Sequence, residues 1–333
     1  MHMTKTMREE SISVVFLFDA RYLGAALTSA ANLIEVLGAS RVPVTLVYLV
    51  GTGSADAKVA ATLQRFEAGV RCRYPEILLQ TITLQGNIFS DYVKRYHFSE
   101  AILYKVILPK VLKAYRHLLV LDCGMIFGNR LINFLDGVEM SIRSSEMAPV
   151  AAFCVPADQA GGLGDDLKHH PHNSLLPDAK ILYFDVVRYE QLALYERLLS
   201  GFQVHRERLA YAEQDLMCLV LADRELGGFT ECGVRCHIDM AGQASWKAID
   251  DYEALYASGD FLYLKHQGSF KQWKKWVLHP AKSIFLREQN KLGSLIGSES
   301  LADLHDPELF PDRLGFLEQQ LLSLEAYLEN RRQ

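Results

Sequence analysis

The stretch LLVLDCGMIF, residues 118–127, places a single acid at the end of a run of apolar residues. Leu118–Leu121 has the length and composition of a buried strand, and Asp122 follows it directly. A carboxylate at the end of a buried strand is costly to keep ionised unless another group pairs with it. The small residues Cys123 and Gly124 come next, so no second acid stands beside Asp122. The stretch therefore predicts a polar site where this strand ends.

The beginning of the chain has the same arrangement. The apolar run of residues 11–18, SISVVFLF, ends at Asp19, and apolar residues at helical spacing follow over residues 22–38. A second apolar run covers residues 44–50. Strand, helix and strand in this order are typical of a βαβ unit, whose sheet binds ligands beyond the carboxyl ends of its strands. If the two strands are near neighbours, Asp19 and Asp122 face one crevice.

The remaining patterns extend this α/β organisation. Residues 99–115 predict a helix kinked at Pro109, and residues 158–177, rich in Gly, Asp, His and Pro, predict a long loop. Leucines at helical spacing over residues 314–328 predict an amphipathic helix that packs on the main domain or on a partner. We therefore divide the chain into an α/β domain, residues 11–285, and a C-terminal helical extension, residues 286–333.

Composition narrows the class of protein. The chain has 333 residues, of which 50% are hydrophobic and 23% charged, as in ordinary globular proteins. The net charge of −5 argues against a surface built to bind nucleic acid. No apolar run is long enough for a membrane helix, and the N-terminus lacks the pattern of a secretory signal, so we predict a cytoplasmic protein.

Six scattered cysteines favour reduced thiols over a disulfide framework. Two patterns resemble metal sites only weakly: the first has no partner pair at the spacing of a zinc site, and the second consists of loop histidines, which are more often simply solvated. They are Cys232-x3-Cys236-His237 and the histidines His169, His170 and His172.

The chain resembles the family-8 glycosyltransferases in three features taken together. These are the first strand with Asp19 at its end, the strand that ends at Asp122, and a motif late in the sequence. The late motif is HQGSFKQW, residues 266–273, and the resemblance spans roughly residues 12–280. These are retaining enzymes of the GT-A fold, a Rossmann-like mixed sheet flanked by helices. The resemblance implies transfer of a hexose from a UDP-sugar to a saccharide or lipid-linked acceptor. It also implies a divalent cation, Mn²⁺ or Mg²⁺, that holds the diphosphate.

The resemblance assigns a role to each matching residue. The proposed nucleotide-binding residues are Asp19, Tyr22, Lys105, Asp122, Cys123, Gly124, Gly268 and Lys271. The proposed metal ligands are Asp122 and His266, and the proposed catalytic residues beside the sugar are Glu213, Gln214 and Asp178. This residue set suits the chemistry, because breaking a sugar–phosphate bond builds positive charge on the sugar and negative charge on the leaving diphosphate.

The chain departs from the family pattern at several positions, and these departures keep alternatives open. Gly124 stands where the second acid of the Asp-x-Asp motif is expected, and Lys180 stands where a glycine is expected. One alternative is a catalytically inactive homologue that serves as a binding module. Another is a metal-independent transferase in which Lys105, Lys180 or Arg21 carries the charge of the metal.

The sequence also leaves the partners of the protein open. A run of lysines and aromatic residues follows the late motif, over residues 271–287. It fits either a solvated face or a peripheral contact with an anionic membrane that carries a lipid-linked acceptor. The C-terminal helix leaves association into a homo-oligomer open as well.

Overall fold

The computed structural model describes most of the chain in segments. These are residues 12–38, 46–52, 57–84, 88–89, 100–144, 146–156, 175–209, 211–222, 224–229, 235–239, 248–267, 277, 279–297, 320–322 and 324–329. Gly268 and Lys271, predicted to meet a diphosphate, lie outside these segments. So do residues 158–174 of the predicted loop.

Helices and strands alternate along most of the chain. The strands are β1 (Ile12–Asp19), β2 (Leu46–Thr52), β3 (Leu78–Leu84), β4 (His117–Leu121), β5 (Met125–Phe127), β6 (Val150–Pro156), β7 (Leu175–Asp185), β8 (Leu226–Gly228), β9 (Arg235–Asp239) and β10 (Tyr263–Gln267). The α-helices are α1 (Leu23–Gly38), α2 (Ala57–Arg73), α3 (Leu108–Val111), α4 (Arg130–Arg143), α5 (Val186–Gln191), α6 (Leu194–His205), α7 (Glu213–Val220), α8 (Ile249–Ser258) and α9 (Lys282–Ile296).

Two sheets organise these elements. The larger has seven strands in the order β3-β2-β1-β4-β7-β6-β8, and the smaller has the order β5-β10-β9. Strands β1 to β4 run parallel in the large sheet, whereas β7 is antiparallel to both β4 and β6. The sheet is therefore mixed, as predicted, and β4 passes through Asp122 directly into the small sheet at β5.

The large sheet is covered on both faces. Alternate residues of β1 supply the two hydrophobic clusters, with Val14 and Phe16 on one side and Val15 and Leu17 on the other. This division follows from the period of two along a strand, and it requires a nearly continuous apolar sequence because both faces are buried. The apolar run of residues 11–18 predicts this central position correctly.

The structure corrects the predicted helix over residues 99–115. Residues Glu100–Ile107 form a 3₁₀ helix, and the α-helix α3 begins at Leu108. Pro109 therefore lies in the first turn of α3, where its missing N–H costs no intrahelical hydrogen bond, and it does not kink a longer helix.

Helix α9 crosses the predicted domain boundary between residues 285 and 286. Its apolar face, including Ile284, Phe285 and Leu292, belongs to the same hydrophobic cluster as α1. Its buried Glu288 accepts a hydrogen bond from Asn32 of α1 at 3.1 Å. Helix α9 is thus part of the main α/β core. None of the described helices is long and apolar enough to cross a membrane.

Candidate functional site

The two acids that end β1 and β4 share one edge of the sheet. Strands β1 and β4 are adjacent and parallel, with Phe16 opposite Leu121. Asp19 ends β1, and Asp122 follows β4 by one residue, so both lie at carboxyl ends that meet in the same crevice. The condition on which a shared crevice was predicted, that the two strands are near neighbours, is therefore met.

An irregularity in β7 brings polar backbone atoms to Asp122. The register of β6 against β7 shifts between Ala152 and Phe153, so residues 179–181 of β7 have no partner on β6. These residues lie beside the end of β4 and Asp122. The N–H of Asp122 donates to the carbonyl of Lys180 at 2.9 Å, and the carbonyl of Ala179 accepts from the Lys105 ammonium at 2.9 Å. Bulges of this kind commonly re-aim groups near functional sites.

Two polar side chains of α1 fix the turn after Asp122. The hydroxyl of Ser29 accepts the N–H of Gly124 at 2.8 Å, and the amide oxygen of Asn32 accepts the N–H of Phe127 at 2.6 Å. Gly124 adopts a φ of 80°, a left-handed conformation that glycine enters without steric cost. Gly124 stands where the second acid of an Asp-x-Asp motif is expected, and the backbone conformation of this turn favours glycine at that position.

The carboxylate of Asp122 lies between two lysine ammonium groups. Its Oδ1 lies 2.5 Å from Nζ of Lys105, and its Oδ2 lies 2.5 Å from Nζ of Lys265. Lys105 comes from the 3₁₀ helix and Lys265 from β10, so two remote segments converge on one carboxylate. The Lys105 ammonium also donates to Oε1 of Glu213 at 3.0 Å. We call Lys105, Asp122, Glu213 and Lys265 the ion cluster.

Charge pairing outweighs burial at the centre of the ion cluster. Burial favours the neutral form of Asp122, but the two lysines more than offset it and hold the pKa of this carboxyl well below its usual range. Burial likewise opposes the charge of Lys105, and the charges of Asp122 and Glu213 raise its pKa despite that. Asp122 and Lys105 are therefore ionised at neutral pH.

Glu213 behaves differently. It begins α7 and is buried, and its second oxygen, Oε2, has no hydrogen-bond partner among the described residues. Burial raises the pKa of Glu213 to about 7, the charge of Lys105 lowers it, and that of Asp122 raises it. This carboxyl therefore exchanges its proton near neutral pH, so the net charge of the ion cluster changes there.

This pKa predicts a pH dependence of stability. Because the pKa of Glu213 is raised in the folded protein, its favourable contribution is complete below the unfolded value near 4.5 and is lost as pH rises through about 7. We expect Glu213→Gln, which keeps an acceptor for Lys105, to gain stability relative to wild type by up to roughly 3 kcal/mol over this interval. Urea denaturation of both proteins at a series of pH values measures the difference. A difference that does not change with pH contradicts this assignment.

Other predicted nucleotide-binding residues surround Asp122. Burial raises the pKa of the Tyr22 phenol, and the charges of Asp19, Cys123 and Asp122 add to this, which places these groups near one another. The thiol of Cys123 is buried, donates to the carbonyl of Leu17 at 3.2 Å, and has its pKa raised by burial and by Asp122. Asp19 pairs with the half-exposed Arg21 at 2.9 Å.

The predicted sugar-side residues lie on β7 and α7. Asp178 pairs with the ammonium of Lys180 at 2.7 Å on the irregular part of β7. Gln214 is partly exposed at the start of α7, next to the buried Glu213. The contact from Glu213 to Lys105 therefore brings the start of α7 to Asp122.

His266, the second predicted metal ligand, has a different environment. Successive residues of a strand point to opposite faces, and on β10 the residue that reaches Asp122 is Lys265. Nε2 of His266 lies 3.2 Å from the carbonyl oxygen of Ala281, at the start of α9. The pairing of Asp122 with His266 as metal ligands receives no support from these contacts.

The side chains described around Asp122 do not fit a divalent cation. Such a cation needs several oxygen ligands, but both carboxylate oxygens of Asp122 already lie against ammonium groups. Within the described ranges, no group of three or more His, Cys, Asp or Glu side chains could hold a metal. Cys236 and His237 belong to β9, but their side chains are not among those described. The other residues of the weak metal patterns, Cys232 and three histidines of the predicted loop, also lie outside the described residues.

Sequence reasoning missed Lys265. The signal for it was present, because a lysine at the end of the apolar run FLYL must find a partner if the run is a buried strand. The motif match drew attention to His266, one residue further on. The alternation of side chains along β10 decides between the two, and it can be applied only when the limits of the strand are known.

Solved structures that this chain resembles in fold include glycosyltransferases. The galactosyltransferase LgtC, in complex with donor and acceptor sugar analogues, matches with a TM-score of 0.58 and 11% identity over 84% of this chain and 95% of that chain. GlyE of Streptococcus pneumoniae TIGR4 matches with a TM-score of 0.56 and 12% identity, over 91% of this chain and 66% of its own. The bifunctional glycosyltransferase WbbM matches with a TM-score of 0.55 and 13% identity, over 94% of this chain and 52% of the WbbM chain.

These comparisons establish the fold class. The chain has a GT-A fold, a central mixed sheet flanked by helices, of the kind found in these glycosyltransferases. No family model matches the chain, and no curated protein matches its sequence. At 11–13% identity the likeness concerns the fold, so the reaction has to be argued from the site.

Proposed function

We propose that the protein is a nucleotide-sugar-dependent glycosyltransferase that transfers a hexose from a UDP-sugar to a saccharide or lipid-linked acceptor. The observation that carries the proposal is the ion cluster at the carboxyl ends of β1 and β4 in a GT-A fold. Ligands of open α/β sheets bind at this edge. LgtC, which shares the fold, was solved with donor and acceptor sugar analogues.

The surrounding residues fit the parts of such a donor. Asp19 and Tyr22 stand at the end of β1, where a uracil and ribose would have both a carboxylate and an aromatic surface to contact. Asp178 and Gln214, on the side of β7 and α7, are the proposed contacts of the sugar. Partly exposed Gln214 would place an amide oxygen near the cationic sugar of a retaining transfer.

Turnover of UDP-sugars tests this function. The purified protein is incubated with UDP-glucose and UDP-galactose, with and without saccharide acceptors, once with Mn²⁺ and once with EDTA. We expect UDP release from at least one donor. We expect Gln214→Ala to lower kcat by about a hundredfold with little change in the melting temperature. The control is Lys291→Met, on helix α9, which should leave kcat unchanged. Absence of both UDP binding and UDP release under every condition rules the function out.

One observation favours a second candidate, a non-catalytic binding module. Asp122 and Lys105 satisfy each other within the protein, as a structural ion pair would. For such a module, calorimetry would show UDP binding while no donor is turned over. Calorimetry together with the turnover assay thus separates the two candidates.

A further inference from the structure

The ion cluster raises the question of what supplies positive charge to a donor diphosphate. A departing diphosphate needs fixed cations close to it. Around Asp122 the structure provides two ammonium groups, one on each carboxylate oxygen, at 2.5 Å. Together these ammonium groups carry the charge of one divalent cation, and they are held in place by burial.

We propose that the Lys265 ammonium, supported by Lys105 across the Asp122 carboxylate, takes the place of the divalent cation, so that donor binding needs no metal. This proposal rests on the proposed function and specifies how its donor site works. It assigns Lys265, which no sequence motif pointed to, as the group that meets the diphosphate.

The geometry supports Lys265 over Lys105 as the contacting group. The side chain of Asp122 is 22% exposed, so the ion cluster opens to the crevice on that side. The Lys265 side chain is 9% exposed and that of Lys105 is 4% exposed. Lys105 is further occupied by Glu213 and by the carbonyl of Ala179. Lys265 is therefore the more exposed of the two lysines, and among the described residues it contacts one group besides Asp122, the carbonyl of Cys123 at 3.4 Å, where Lys105 contacts two.

The electrostatic surroundings of Lys265 also favour an anion. Burial lowers the pKa of Lys265, and although Asp122 raises it, the positive charges of Lys180 and Lys105 lower it further. A phosphate oxygen bound here would lessen this repulsion among three lysines. Gly124 has no side chain and so contributes no carboxylate that would repel the anion, and its N–H is bound by the hydroxyl of Ser29.

Calorimetry with UDP as the probe tests the proposal on the wild-type protein. UDP is titrated into protein dialysed against EDTA and into protein supplied with MnCl₂. We expect the two dissociation constants to differ by less than about twofold. Tightening of about tenfold or more by Mn²⁺ overturns the inference but leaves the proposed function standing. Failure of UDP to bind in either buffer overturns both.

Two substitutions at one position sharpen the test. In EDTA, Lys265→Met should weaken UDP binding by about tenfold or more, while Lys265→Arg, which keeps the charge, should retain most of the affinity. The distant Lys291→Met is the control for general loss of charge and should bind as wild type does. Equal weakening by Met and Arg would refute the role of the ammonium charge. If Lys265→Met fails to fold, the comparison of Lys265→Arg with wild type in EDTA and MnCl₂ decides, since arginine must preserve metal-independent binding.

Mn²⁺ binding provides a readout that needs no nucleotide. The amplitude of the free Mn²⁺ signal in electron paramagnetic resonance should not fall when wild-type protein is added, because ammonium groups occupy both oxygens of Asp122. A fall in this signal that Asp122→Asn abolishes would place a metal at Asp122 and overturn the inference.

Discussion

Asp122→Ala is expected to lower the free energy of unfolding by roughly 3–5 kcal/mol, because it leaves the buried ammonium of Lys265 without its carboxylate partner and takes one partner from Lys105. Such a loss is a large share of the stability of an ordinary domain. Urea denaturation at neutral pH measures it. We also expect UDP binding to be lost, since the two ammonium groups would no longer be held in position.

The control for this prediction is Glu35→Ala. Glu35 pairs with Lys291 at 3.1 Å, but both side chains are about half exposed. Water screens such a pair, so its removal should cost less than about 1 kcal/mol. If the two substitutions cost the same, the ion cluster contributes no more than a surface pair, and its description as a buried structural unit is wrong.

Lys105→Met is the second substitution with a large expected effect. It removes the ammonium between Asp122 and Glu213 and leaves both acids close together with only the charge of Lys265 to offset them. We expect a loss of roughly 3–5 kcal/mol in the free energy of unfolding. The pKa of Glu213 should rise further, because Lys105 is the group that lowers it.

A double-mutant cycle isolates the electrostatic part of this loss. In the background of Glu213→Gln, Lys105→Met no longer takes the ammonium partner from a buried carboxyl at position 213, so its cost should fall by about 1–3 kcal/mol. Urea denaturation of wild type, both single variants and the double variant supplies the four free energies. Strict additivity of the two substitutions would mean that the contact between Lys105 and Glu213 carries no coupling energy.

The fold was largely predictable because its signals are local. An unbroken apolar run that ends in an acid predicts a buried strand with a polar end, and both β1 and β4 follow this rule. The parallel pairing of β1 with β2 is the expected outcome of a βαβ order, whereas the pairing of β1 with β4 joins segments far apart in the chain and needed the structure. The segment at Pro109 was harder, because apolar residues spaced three apart lie on one face of a 3₁₀ helix as well as of an α-helix.

The composition of the site was predictable only in part. Asp19, Tyr22 and Asp122 are neighbours as expected, because the ends of adjacent strands bring them together. Their roles in binding a nucleotide remain predictions. The role of Lys265 was not predicted, because it lies 143 residues from its partner Asp122 in the chain and no local sequence pattern links the two positions.

By itself the sequence determined that Asp122 ends a buried strand in an α/β sheet, because strand formation depends on apolar residues that are adjacent in the chain. Only the tertiary structure decided which positively charged side chains pair with Asp122. The packing of the 3₁₀ helix and of β10 against the sheet edge brings Lys105 and Lys265 to its two oxygens. A buried charge takes its partner from whatever the fold places within a few ångströms, and that proximity is a property of the folded chain.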